Sequence, residues 1–62
     1  MIRFELYRDT AGQHRFRIVA ANGETIAQSE GYHNRQDALD TITAITHGAA
    51  TAPIIHPTHP TE

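Results

Sequence analysis

The chain contains no cysteine, so neither a disulfide nor a thiolate metal site can stiffen a fold of only 62 residues. Lysine is missing too. All five basic side chains are arginine, against seven acidic ones and a net charge of −2. That balance argues against a dedicated binder of nucleic acid or of anionic membranes. No apolar run approaches the roughly 18 residues of a membrane span. Met1-Ile2-Arg3-Phe4-Glu5 also lacks the charged-then-apolar layout of a signal peptide. These absences lead us to expect a cytoplasmic protein with no membrane partner. At this length the chain is one domain at most, close to the lower limit for folding alone.

What is present is a clear alternation. Ile2, Phe4 and Leu6 alternate with Arg3, Glu5 and Tyr7, the two-residue period of a half-buried strand. Asp9-Thr10-Ala11-Gly12-Gln13 carries turn chemistry: the Asp side chain can bond its own backbone, and Gly tolerates positive φ. Phe16, Ile18 and Ala20 then alternate with Arg15, Arg17 and Val19. With a loop from Asp9 to Gln13, Leu6 faces Phe16 and Phe4 faces Ile18, while Glu5 meets Arg17 and Tyr7 meets Arg15. All four pairs are chemically compatible, which favours this register.

Asn22-Gly23 is the strongest short-range hairpin signal and leads into Thr25-Ile26-Ala27-Gln28. A two-residue turn would place Ile26 opposite Val19 on the outer face and Ala27 beside Ile18. A three-residue turn with a glycine bulge would place Ile26 opposite Ile18, inside. We favour the bulge, because so small a core needs Ile26. Next, Asn34 is suited to cap a helix, with Asp37 three residues on. Ala38, Leu39, Ile42 and Ile45 form one apolar stripe, and Gly48 is placed to end the helix.

The predicted fold is α+β: a three-stranded antiparallel sheet packed by one helix, in the order β-β-β-α. Residues 1–48 form this domain and 49–62 a flexible tail containing prolines and histidines, unless Ile54-Ile55 docks on a partner. The candidate core is Phe4, Leu6, Phe16, Ile18, Ala20, Ile26, Tyr32, Leu39, Ile42 and Ile45. A core of that size leaves a single copy marginally stable, and pairing with a second copy is the simplest remedy.

Phe4, the Phe16-Arg17-Ile18 strand, Ala20-Ala21-Asn22-Gly23-Glu24, Ile26-Ala27 and Ser29-Glu30-Gly31-Tyr32, in this order, closely resemble the YegP-like proteins. These are small bacterial and archaeal proteins built on a domain of unknown function. The resemblance spans about residues 2–46. Family members occur as one repeat or as two in tandem, which implies that two units share a sheet and that a one-repeat chain forms a homodimer. The chain departs from the family at Asp40-Thr41, where an Asn-Gly pair is usual. The family supplies no catalytic residue.

Three constellations could carry chemistry. The five histidines invite a metal reading, but His56 and His59 are separated by a proline that keeps them off one helical face, and only Glu62 lies near. His14, His33 and His47 sit at element ends and read as solvated, so no metal or other cofactor is expected. Ser29-Glu30-Gly31-Tyr32 offers a hydroxyl, a carboxylate and a phenol with His33 close by, but nothing supplies a third member for nucleophilic catalysis. Ser29-Glu30-Gly31-Tyr32 therefore reads as a strand-to-helix connection in which Gly31 takes an unusual backbone angle, and no catalytic residue is assigned.

Arg3, Glu5, Tyr7, Arg15 and Arg17 share the outer sheet face and form the candidate interaction surface. Arginines beside an aromatic could bind single-stranded nucleic acid. Equally, they could be a wet face tied by a Glu5–Arg17 pair and an Arg15–Tyr7 stack. The function expected is a small non-catalytic interaction or structural module acting as a homodimer, with room for an unknown protein partner. The alternative is weak nucleic-acid binding through the arginine face.

Overall fold

A computed structural model describes residues 1–58. Strands β1 (Arg3–Arg8), β2 (His14–Val19) and β3 (Thr25–Gln28) form one antiparallel sheet in the order β1-β2-β3. Helix α1 (Arg35–Gly48) follows and lies against β2, and a single 3-10 turn continues it over Ala49–Thr51. The β-β-β-α order read from the sequence is the order of the fold.

The first hairpin has the expected register, with Phe4 opposite Ile18, Glu5 opposite Arg17, Leu6 opposite Phe16 and Tyr7 opposite Arg15. Its loop is organised by one side chain. Asp9 Oδ1 accepts hydrogen bonds from the backbone N–H groups of Ala11 and Gln13, both at 2.9 Å. Gly12 closes the turn at φ +82°, a region that favours glycine. The Phe4 and Phe16 rings meet edge to face at 5.9 Å on the inner side.

The second hairpin corrects one expectation. The turn itself is the three-residue kind with a glycine bulge: Gly23 N–H bonds Ala20 O at 2.9 Å, Ala20 N–H bonds Glu24 O at 2.8 Å, and Gly23 has φ +92°. Ile26, however, is not opposite Ile18. A second bulge falls there, so Val19 pairs with Thr25 and Ile18 pairs with Ala27. Ile26 is the residue left over, and it is 55% exposed.

The same irregularity upsets the alternation on β2. Val19, assigned above to the outer face, is buried at 2% exposure. A bulge bends the strand pair and increases its twist, so inside and outside are no longer set by counting in twos.

Beyond β3 the chain stays attached to β2 by an unusual route. Ser29 N–H donates to Phe16 O at 2.9 Å, and the Ser29 hydroxyl accepts from Phe16 N–H at 2.9 Å. The side chain thus supplies the ladder bond a backbone carbonyl would normally make. Three residues later Tyr32 and His14 exchange both backbone bonds, at 2.8 and 2.9 Å. Gly31 lies between these contacts without a positive φ, contrary to the unusual angle expected. A Cβ there would meet the Gln13 side chain, 3.1 Å from its Cβ, so the Gln13 amide packs where any other residue's side chain would begin.

Asn34 caps α1 as anticipated, its side chain accepting from Asp37 N–H at 3.1 Å. The α-helix ends at Gly48, as read from the sequence, but Gly48 is its last helical residue and Ala49 takes the cap position. The Gly48 backbone is right-handed and the chain stays helical through Ala49-Ala50, residues with strong helix preference. The stop comes at Pro53, which disfavours helix in the residue before it, and Ala52 is extended. Ala38 is wholly buried where α1 meets the sheet, while Leu39, Ile42 and Ile45 are half-buried. Phe16, Val19 and Ala38 make up the fully buried core of the described residues, and Phe4, Leu6 and Ile18 are only half covered.

Candidate functional site

The outer face brings together four of the five residues proposed from the sequence, Arg3, Glu5, Tyr7 and Arg17. Glu5 is its centre. Arg17 Nε donates to Glu5 Oε1 at 2.9 Å and Arg3 Nε to Glu5 Oε2 at 2.8 Å. The two guanidinium groups, Arg17 first and then Arg3, hold the Glu5 carboxyl below its ordinary pKa of 4.5. The Arg17 guanidinium also lies 4.5 Å from the centre of the Tyr7 ring, and Tyr7 OH donates to Gln28 Oε1 at 3.0 Å. One continuous polar network therefore crosses all three strands.

The stacking partner of Tyr7 is thus Arg17, not Arg15. Arg15 stands directly opposite Tyr7 but turns toward the loop, where its Nε lies 3.1 Å from Asp9 Oδ2. This contact is an ion pair whose angle falls short of a hydrogen bond. Asp9 draws Arg15 away, and the diagonal neighbour Arg17 takes its place over the ring. Each arginine of this face is therefore already matched with a carboxylate. These are solvent-screened pairs of small net value, and their effect here is to lower the positive charge the face can offer a polyanion.

The other candidates stay apart. The Ser29 hydroxyl donates to Glu30 O at 2.8 Å while accepting from Phe16 N–H, so its proton is committed to backbone rather than to a base. Among the described residues no three histidine, aspartate or glutamate side chains gather into a metal site, and His59 and Glu62 lie outside those residues. Among the described residues no helix is long and apolar enough to cross a membrane.

Sequence reasoning passed over a second feature. A cleft of about 220 Å³ is lined by Leu6, Tyr7, Arg8, His14 and Arg35. Arg8 and His14 face each other at the end of the first hairpin, and Arg35 is the first residue of α1. The hairpin register alone could have paired Arg8 with His14. Nothing in the sequence shows that Arg35 folds back beside them.

The molecule is a small α+β domain whose sheet carries a self-paired polar face. It belongs to the family described as "Domain of unknown function (DUF1508)", whose model matches residues 9–55. The YegP-like resemblance falls within the same family. The UPF0339 protein Atu0232 of Agrobacterium fabrum is 46% identical over 52 residues, covering 84% of each chain. A UPF0339 protein of Methanosarcina acetivorans is 40% identical over 55 residues, covering 89% of this chain and 95% of that one. A UPF0339 protein from the ptx operon 5′ region of Stutzerimonas stutzeri is 41% identical over 46 residues, but the match spans only 41% of its length. The fold is also similar to two NMR solution structures. One is of a protein from Haloferax volcanii, with TM-score 0.80, 33% identity and coverage of 90% of this chain and 95% of that one. The other is of protein ATU0232 from Agrobacterium tumefaciens, with TM-score 0.80, 43% identity and 90% coverage of both.

Proposed function

We propose that this chain acts as a homodimer, a non-catalytic interaction module whose fold is completed by a second copy. The observation that carries this reading is the unfinished burial of apolar side chains. Ile54 is 85% exposed and Ile55 73%, Ile2 and Ile26 are exposed as well, and Phe4, Leu6 and Ile18 are only half covered. We read these side chains as the apolar surface that a second copy covers. The Stutzerimonas stutzeri relative supports the same reading, since its chain beyond the matched part is long enough for a second unit of this size. The face of Arg3, Glu5, Tyr7, Arg15 and Arg17 remains the surface on which a completed dimer would meet a further protein. Nucleic-acid binding there is the weaker reading, because Glu5 and Asp9 offset two of the three arginine charges. A cytoplasmic location fits a small domain without disulfides.

The test is the combined variant Ile54→Glu/Ile55→Glu, followed by light scattering after gel filtration. Apolar pairing predicts that the wild type keeps the mass of two chains in about 0.5 M salt, where exposed ion pairs are screened, and that the variant falls to one. A variant that keeps the wild-type mass would remove the tail from the interface. A wild type that separates in salt would replace apolar pairing with charge.

A further inference from the structure

Of the five arginines, Arg3 and Arg17 are paired with Glu5, and Arg15 with Asp9. Arg8 and Arg35 have no carboxylate within ion-pair distance among the described residues, and these two line the same cleft. His14 lines it beside them, and no acidic side chain does. Two like-charged guanidinium groups brought to one concavity repel each other, and an anion seated between them would reverse the sign of that interaction. Arg8 is held in place for the purpose: its Nε and Nη2 donate to Gly12 O at 3.3 and 2.9 Å, which fixes one edge of the guanidinium and leaves the rest available. Arg35 and His14 make no side-chain hydrogen bond among the described residues.

We propose that the cleft between Arg8, His14 and Arg35 binds a small organic phosphate monoester. Two fixed positive charges match the charge of about −1.5 to −2 that a phosphate monoester carries near neutral pH, whereas a single carboxylate would leave one guanidinium unmatched. Guanidinium is also the side-chain group best suited to the planar, forked recognition of phosphate oxygens. Leu6 and Tyr7 add an apolar wall for the organic part. A volume near 220 Å³ is below the roughly 300–1,000 Å³ of sites for drug-sized ligands, so the ester group must be small. This site is independent of the dimer reading, because all five lining residues come from one chain.

The test is a ¹⁵N-edited NMR titration of the full chain with inorganic phosphate and with phenyl phosphate, each matched to a sodium chloride titration of equal ionic strength. The amides of Leu6, Arg8, His14 and Arg35 should shift saturably with both phosphates and not with chloride, and phenyl phosphate should bind more tightly. Loss of one charge-assisted contact in Arg35→Gln should weaken binding about ten- to a hundredfold. Arg3→Gln, on the outer face, should leave it unchanged. Four results would each overturn the site: shifts that chloride reproduces, shifts spread over Arg3 and Arg17, phenyl phosphate no tighter than inorganic phosphate, or Arg35→Gln binding like wild type. The ring current of phenyl phosphate gives a further check, since a bound phenyl group should move the Leu6 methyl signals and an absent one cannot.

Discussion

Ser29→Ala isolates a single atom whose role is unusually well defined. The Ser29 hydroxyl accepts the N–H of Phe16 at 2.9 Å, and Phe16 is among the most buried residues of the chain at 3% exposure. Alanine removes the acceptor and offers no replacement, while Ser29 N–H can still donate to Phe16 O. A buried backbone donor left without a partner costs about 1–3 kcal/mol. In a domain of this size each kcal/mol moves the melting temperature by about 4–8 °C. The expected drop is therefore roughly 5–20 °C, followed by far-UV circular dichroism at one fixed protein concentration. Ser29→Thr keeps the oxygen and should recover most of the loss. Amide hydrogen exchange at Phe16 should accelerate in the alanine variant more than at Tyr7, which pairs with β2 from its other side. Two results would refute the reasoning: a Ser29→Ala melting temperature equal to wild type, or a threonine variant as unstable as the alanine one.

Three other substitutions bear on the fold and its network. Gly23→Ala places a Cβ in open space but at φ +92°, so its cost should be the left-handed backbone penalty alone, about 1–2 kcal/mol by urea unfolding. Ala38→Leu should overpack the seam between α1 and the sheet and cost about 1–3 kcal/mol, because Ala38 has no exposed surface into which to expand. Arg17→Gln removes the larger of the two causes that depress the Glu5 carboxyl, so its carboxyl ¹³C titration midpoint should rise toward 4.5. The sign follows for stability. Since Glu5 has a lower pKa folded than unfolded, its contribution is present above the unfolded value and fades as pH falls through the folded one. Stability should thus decline with pH in the acid range below 4.5 less steeply in Arg17→Gln than in wild type; equal slopes would contradict the pairing.

The first hairpin was legible because every cross-strand pair carried a chemical preference, apolar on apolar inside and acid on base outside. The helix was legible for a similar reason: Asn34 and the apolar stripe agree on where it starts and which side it buries. The second hairpin was legible only as far as its turn. Asn22-Gly23 announces a turn and leaves its length open between two and three residues, and the bulge at Ile26 uses a β-branched residue that carries no turn signature and sends both Ile26 and Val19 to the opposite environment. The helix ended at Gly48 as read, but the 3-10 turn that follows was not legible, because Gly48 adopts a right-handed backbone and the extended stretch begins only at Ala52, ahead of Pro53. In the polar face the partners were right in kind but one was exchanged, since Asp9 serves both its own loop and Arg15. The cleft of Arg8, His14 and Arg35 depends on where the helix begins relative to the hairpin mouth, a three-dimensional relation that no local pattern encodes.

The central claim is that one copy leaves the fold unfinished. It is tested most directly by the molar mass of the wild-type chain in solution, measured by sedimentation equilibrium across a dilution series. Pairing predicts a mass of twice 6.9 kDa that declines toward one chain only on dilution. A folded chain that holds the mass of one copy at every concentration would contradict the account, and would show that three fully buried side chains suffice to hold this domain together.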